Sequence, residues 1–296
     1  MLTIDGSSNL GSGQTVRIAV SLAAILGKEL HLYNIRQNRD NPGLTGHHKS
    51  VVETLAKLCD AKTEGVCVGS SELSFTPKRF PKSGEYELVI KTMGSAIIQA
   101  EPIILALSLT EGMSTLKING GSSYPCEHFR YVVRWFLKRL GIQTEMETIK
   151  KSYPCVITIN IFPSSSIRPL QILERGGLLH KFSVKDRASE TIVLEYENTI
   201  LGYDGTTLDR KLGDSIDTLH ERYQAGRYAD YTMDISAIEQ LLPFLVFANG
   251  SCITVSHISE HLDTAVSIYR SLLGISIKIE KQFNSYKLSI GGFNRT

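Results

Sequence analysis

Two arginine-bearing turns near the N-terminus carry the residue types best suited to hold an anion. The first is Asp5-Gly6-Ser7-Ser8-Asn9-Leu10-Gly11-Ser12-Gly13-Gln14-Thr15-Val16-Arg17, which reads as a strand, a Gly/Ser-rich turn and a helix start. Such a turn offers backbone N–H groups and the positive end of a helix to phosphate. The glycines alone are equally explained by backbone geometry. Arg17 favours an anion, because it lies one turn into the helix, where a cation opposes the helix dipole unless negative charge is close by. The second turn, Asn34-Ile35-Arg36-Gln37-Asn38-Arg39-Asp40-Asn41-Pro42-Gly43-Leu44, leaves a strand with two guanidinium groups just ahead of a Pro-Gly pair. Those forks suit phosphate oxygens; a solvated loop with ordinary surface arginines is the alternative.

The elements that must position these turns belong to a unit written three times. His48, His128 and His261 each open a helical apolar pattern, which closes near Leu58-Cys59, Leu140-Gly141 and Leu273-Gly274. An earlier helix repeats as well: Gln14, Gln99 and Gln240 each stand at the start of an apolar stretch that ends in a stop-signal glycine, Gly27, Gly112 or Gly250. Strand-like runs follow those glycines at 29–35, 114–118 and 251–255. Two further period-2 runs follow the second helix, such as 142–149 with 156–162 and 275–281 with 286–290. The expected fold class is α/β (α+β), with three tandem βαβαββ units forming the main body and a small α/β insert between the second and third.

Histidine spacing locates that insert. His48 and His128 lie 80 residues apart but His128 and His261 lie 133 apart, so about 53 residues are extra. They fall between Phe162 and Tyr231-Thr232-Met233, read as the first strand of the third unit. The expected domains are 1–165 (units one and two), 166–227 (insert) and 228–296 (unit three). Inside the insert, 178–184, 191–197 and 200–203 read as strands and 214–223 as a polar-faced helix. A module this small buries little apolar surface and leans on the main body.

Composition narrows the function classes. With 296 residues, 42% of them apolar and 21% charged, the chain can bury two modest cores and is ordinary for a soluble protein. A net charge of +2 gives no bulk nucleic-acid signature, so any polyanion site has to be local and built from a few arginines. No run reaches the roughly 18 apolar residues of a membrane span, and Met1-Leu2-Thr3-Ile4-Asp5 reads as a strand rather than a signal peptide. The expected location is intracellular, nuclear in a eukaryote and cytoplasmic in a prokaryote. Cys59, Cys67, Cys126, Cys155 and Cys252 form no C-x-x-C pair, which points to reduced structural thiols rather than a disulfide framework or zinc site.

Taken together, the motifs resemble those of the RNA 3′-terminal phosphate cyclases. They are Asp5-Gly6-Ser7, Gly11-x-Gly13-Gln14-x-x-Arg17, Asn34-Ile35-Arg36-x-x-Arg39-x-x-Pro42-Gly43-Leu44, Gly69-Ser70-x-x-Leu73, Lys91-Thr92-x-Gly94-Ser95 with Gln99, Gly120-Gly121 and Glu174-Arg175-Gly176. The resemblance covers nearly the whole chain, and the family's three-unit body with an inserted domain is the architecture read above from spacing. Near the C-terminus, Glu239-Gln240 looks like the family's Asp-Gln nucleotide contact, and Ala248-Asn249-Gly250 follows it. The family's catalytic histidine is expected 21 residues beyond Gln240, which is His261, within Ser259-Glu260-His261-Leu262-x-Thr264.

The resemblance implies an ATP-dependent conversion of an RNA 3′-phosphate to a 2′,3′-cyclic phosphate through a histidyl-AMP. It casts His261 as nucleophile, Gln14, Gln99, Glu239 and Gln240 as ATP contacts, and Arg17, Arg36, Arg39 and His48 as contacts to substrate phosphates. ATP and a divalent cation, Mg2+ or another, are the implied cofactors, the metal's ligands being unknown. RNA with a 3′-phosphate end is the implied partner. A neutral imidazole, with an unperturbed pKa of about 6.5, is nucleophilic near pH 7 without a dedicated base. Four departures from the family pattern stand out. Leu10 occupies the place of a usual glutamate, and Ser236 that of an aromatic that stacks on adenine. Tyr153-Pro154 runs into Cys155-Val156-Ile157 with no Gly-Gly-Gly, and the insert is short. They support a second expectation, a catalytically silent relative serving as a binding platform in ribosomal RNA processing, with ribosome-assembly factors as partners. A metabolic transferase on similar units is a third, less supported because the matching loops lack a Lys/Arg set for a small acidic substrate.

Overall fold

The computed structural model describes residues 1–7, 13–185, 190–204 and 231–293. Leu10 and the helix expected at 214–223 lie outside the described residues. Four small sheets and the helices between them make a mixed α/β fold. In the first sheet, β1 (Leu2–Asp5), β2 (Leu30–Tyr33), β3 (Lys62–Glu64) and β4 (Leu73–Thr76) run in the order β1-β2-β4-β3, with β1 and β2 parallel and the other pairs antiparallel. β2 and β4 alternate buried and half-buried residues, the pattern of a sheet covered on one face. A parallel pair needs a crossover, supplied here by α1 (Gly13–Leu26). α2 (Gly46–Cys59) then joins β2 to β3.

The second sheet orders β5 (Glu85–Ser95), β6 (Ser114–Ser122), β7 (Thr144–Lys150) and β8 (Val156–Ile161) as β5-β6-β8-β7, again with the first pair alone parallel. α3 (Ala96–Ser108) crosses between β5 and β6. Between β6 and β7 lies α4, one helical stretch built of Cys126–His128, a wide π segment Phe129–Val133 and Arg134–Arg139. The third sheet places β9 (Gln171–Ile172) beside β13 (Ser251–Val255), followed by β15 (Tyr286–Ile290) and β14 (Ile277–Lys281). Its helices are α5 (Ile235–Leu245) and α6 (Glu260–Leu273). A separate antiparallel sheet contains β10 (Leu178–Lys185), β11 (Glu190–Tyr196) and β12 (Ile200–Asp204).

One expected strand is not formed. At 231–233 the chain is not a strand; β9, which lies inside the span 166–227, pairs with Cys252 and Ile253 instead. The returning chain touches β13 one residue further along, where Thr232 N–H and Met233 N–H both donate to Thr254 O at 2.9 and 3.0 Å. A two-residue strand leaves no period-2 signal, and its partner lies about 80 residues away, so the sequence pattern could not reveal it.

Helix composition explains where the core sits. All of α3 but one residue is buried, as a helix apolar on every side requires. It packs against α1, α2 and α5, while α6 packs against α1 and α5. Ala19, Ala23 and Ala24 on α1 are fully buried and let the neighbouring helices approach closely. No helix among the described residues is long and apolar enough to cross a membrane.

Candidate functional site

Where α1, α3, α5, α6 and the start of α4 meet, they leave a cavity of about 210 Å3. α1 contributes Gln14 and Arg17, α3 contributes Glu101, and α5 contributes Ser236, Glu239 and Gln240. Tyr124 and His128 enter from the approach to α4 and its first turn, and His261 and Tyr269 from α6. Pro102 and Pro243 also line it. Neither proline has an N–H, so the carbonyls of Ile98 and Glu239, one turn back, are released from the helix ladder at the cavity wall.

Capping fixes the two helices that carry the most chemistry. Ser259 caps α6, its Oγ accepting from Leu262 N–H at 3.1 Å and donating to Glu239 Oε1, so the helix start that presents His261 is tied to α5. His261 is the second residue of α6 and is exposed. Asp234 caps α5 through Ala237 N–H at 2.8 Å. Its other bonds are to His128 Nε2 at 3.0 Å and Gly202 N–H at 3.0 Å, the latter on β12. A carboxylate already accepting from two backbone amides is an acceptor, so His128 Nε2 is the protonated nitrogen and Nδ1 the free one.

Several buried acceptors in this cavity have no partner. They are Gln14 Oε1, Glu101 Oε1, His128 Nδ1 and Gln240 Oε1. Gln240 Nε2 donates to Ser236 O at 3.0 Å, which fixes the amide so that Oε1 is the free end. Each such group is worth roughly 1–3 kcal/mol of desolvation unless something donates to it. Burial pushes the Glu101 carboxyl well above the usual range, with Arg17 opposing and Glu239 adding to the rise. It also pushes the Arg17 guanidinium down, against the pull of Glu101 and Tyr269.

A second cluster lies on the other side of Arg17. His48 Nδ1 is 2.7 Å from Thr45 Oγ1, which is 3.1 Å from His47 Nε2, and His47 Nδ1 is 3.2 Å from Thr92 Oγ1. Gly13 is required here, because a Cβ would lie 1.9 Å from His48 Cε1. Arg36 takes a left-handed backbone (φ 53°) and donates Nη1 to Asn41 O at 2.6 Å and Gly43 O at 3.2 Å. Arg39 is exposed.

Of the residues singled out from sequence, Gln14, Arg17, Glu239, Gln240 and His261 therefore share the cavity. Arg36, Arg39 and His48 do not line it, and Gln99 is buried inside α3 with an unpartnered Oε1. Sequence reading missed Glu101, Tyr124, Asp234 and Tyr269, and took His128 only as a helix start. Glu101 was detectable as the one charged residue in the apolar run 96–108.

His48 carries a pH consequence. Burial first, then Arg17, His47 and Arg36, drive its pKa down to about 2. Because the folded value lies below the unfolded value of about 6.5, the folded state binds fewer protons; its stability is intact above pH 6.5 and is lost as pH falls below it. Each pH unit in that window removes up to about 1.4 kcal/mol. Thermal melts from pH 7 down to pH 5 should show this loss, and His48→Gln should flatten the slope; an unchanged slope would refute the assignment.

Comparison with known proteins points one way. A sequence model described as RNA 3′-terminal phosphate cyclase matches residues 8–279. The chain is 27% identical over 335 residues to the RNA 3′-terminal phosphate cyclase of Methanococcoides burtonii, covering 98% of this chain and 100% of that one. It is 30% identical over 348 residues to the protein of the same name from Caldivirga maquilingensis, covering 98% of each chain. With the one from Thermococcus kodakarensis, identity is 30% over 331 residues and coverage 94% of each. Among solved structures, the enolpyruvyl transferase NikO from Streptomyces tendae aligns with a TM-score of 0.45 at 11% identity over 97% of this chain and 48% of its own, too low to inform fold or chemistry.

Proposed function

The chain belongs to the RNA 3′-terminal phosphate cyclase family, and from that premise we propose that it converts an RNA 3′-phosphate to a 2′,3′-cyclic phosphate at the expense of ATP. In this reading a His261 ring nitrogen attacks the α-phosphorus of ATP, forming a P–N bond as the bond to pyrophosphate breaks. An oxygen of the RNA 3′-phosphate then displaces the imidazole, giving RNA(3′)pp(5′)A. The adjacent 2′-oxygen attacks the same 3′-phosphorus, loses its proton and expels AMP. The observation that carries the proposal is that Gln14, Arg17, Glu239, Gln240 and His261, from three helices, line one cavity.

The polar lining of the cavity fits a nucleoside. The unpartnered Gln14 Oε1, Gln240 Oε1 and His128 Nδ1 are acceptors, complementary to the exocyclic amine of adenine and the ribose hydroxyls. Tyr124, which lines the same cavity as Ser236, offers the ring that Ser236 lacks. At about 210 Å3 the cavity is smaller than the roughly 300–1,000 Å3 of typical small-molecule sites. In this reading Arg17 inside the cavity, and Arg36 and Arg39 outside it, would contact phosphates. No group of three or more His, Cys, Asp or Glu among the described residues could hold a metal. A divalent cation would therefore rely on phosphate oxygens, supplying neutralisation of their charge. The shared strand order of the three four-stranded sheets supports reading the body as three tandem βαβαββ units; the third takes β9 as its first strand, so the expected insert of 166–227 would begin only after Ile172.

The test is incubation with α-labelled ATP and magnesium, followed by denaturing electrophoresis. Covalent label that is acid-labile and base-stable, as a phosphoramidate is, is the expected result. A folded protein that takes no label would overturn the enzymatic reading in favour of a silent platform for ribosomal RNA processing.

A further inference from the structure

A second concavity, of about 570 Å3, lies between the C-terminal end of α4 and the chain entering β9. It is lined by Trp135, Lys138, Arg139, Arg168 and Gln171, with no carboxylate in its wall, and it shares no residue with the cavity of His261. Arg139 stacks its guanidinium 3.9 Å above the Trp135 ring. Arg168, from the loop before β9, reaches across with Nη2 to Lys138 O at 3.5 Å. Lys138, Arg139 and Arg168 are exposed, and none is ion-paired with a described residue.

This contrasts with the other cations of the same helix. Arg130 is committed to Glu127, Met146 O and Thr148, and Arg134 to Thr144. They brace α4 against β7, whereas the groove cations carry no ion pair with a described residue, Arg168 making only the long bond to Lys138 O, and they concentrate charge on a chain whose net is only +2. A local cluster of cations around a planar indole–guanidinium stack matches single-stranded nucleic acid, where phosphates meet cations and bases stack on a flat face.

We propose that this groove is an RNA-binding exosite that holds the single-stranded segment upstream of the reacting 3′ end, with a base on the Trp135–Arg139 stack and phosphates on Lys138 and Arg168. It rests on the reading that RNA is the substrate. α4 connects the two sites: His128 faces the cavity and Arg139 the groove, and eleven residues of helix span about 16 Å. The RNA body thereby contributes affinity without entering the chemistry.

Trp135 is the single tryptophan of the chain, so its fluorescence reports on this groove alone. Titration of the whole protein with a short single-stranded oligoribonucleotide bearing a 3′-phosphate should quench it. By anisotropy of labelled RNA, Lys138→Gln/Arg139→Gln/Arg168→Gln should bind about tenfold more weakly or worse. Its log affinity should also depend less on log salt, the slope falling by roughly 1.4, or about 0.7 for each of the two lost phosphate contacts. Covalent labelling by ATP without RNA should be unchanged, which reports that the variant is folded. Labelling intact with RNA affinity unchanged would overturn the exosite alone. Absent labelling with groove-dependent RNA binding would overturn the enzymatic reading and leave the exosite standing. Equal quenching by polyglutamate would overturn RNA in favour of an acidic protein partner.

Discussion

Replacing His261 with Ala abolishes covalent AMP labelling, by at least about 10³-fold, while the melting temperature stays within about a degree or two of the parent. The loss is large on the proposed mechanism because the P–N bond forms on the His261 imidazole, and without it the α-phosphorus loses the nucleophile that mechanism assigns. The stability is spared for equally specific reasons. His261 is exposed, and the cap of α6 is Ser259, whose bonds to Leu262 N–H and Glu239 do not involve the imidazole. Equilibrium binding of ATP should survive within a few-fold, since the cavity wall of Gln14, Arg17 and Gln240 is untouched. Label retained in this variant, mapped by peptide digestion to another histidine such as His257 or His128, would show that the wrong residue has been chosen.

Asp234→Ala should be the most damaging substitution to the fold that leaves the nucleophile in place. Asp234 is 5% exposed and holds together three elements far apart in sequence: the first turn of α5, His128 on α4, and Gly202 on β12. Its removal deletes an N-cap, worth about 0.5–2 kcal/mol. It also strands a buried imidazole N–H and a buried amide N–H, each costing about 1–3 kcal/mol when left without an acceptor. Gly202 cannot compensate by moving, since even an added Cβ there would lie 2.5 Å from His128 Cδ2. A loss of about 3–5 kcal/mol corresponds to a fall of roughly 6–20 °C in melting temperature. Asp234→Asn, which keeps an acceptor for the cap, should lose clearly less. Denaturant unfolding that finds under 1 kcal/mol for the Ala variant would contradict this account, whereas faster amide exchange at Gly202 would support it.

Local pattern carried a good deal of this architecture. The runs at 251–255 and 286–290 are strands with those bounds, and those at 178–184, 191–197 and 200–203 correspond to β10, β11 and β12 to within a residue. The helices opened by His48 and His261 begin two residues and one residue earlier than those histidines. Each of these is long enough for apolar alternation or helical period to register. Gln14, Arg17 and the Glu239-Gln240-His261 register were equally visible, because each motif is contiguous or spaced within one unit.

By itself, then, the sequence determined most of the elements, the family and five residues of the cavity, all properties that depend on short-range backbone period and on motif spacing. Only the tertiary structure decided what those residues face. His128 and Asp234 meet across 106 residues, Glu101 from the apolar α3 shares the cavity with Arg17, and His48 packs against Gly13 instead of reaching the cavity. Trp135, Lys138, Arg139 and Arg168 come together only because the chain before β9 crosses the end of α4. Such meetings are set by how helices and sheets pack in three dimensions, to which a one-dimensional period is blind. A buried polar group is recognisable as a site only once its neighbours, and its lack of a partner, are known.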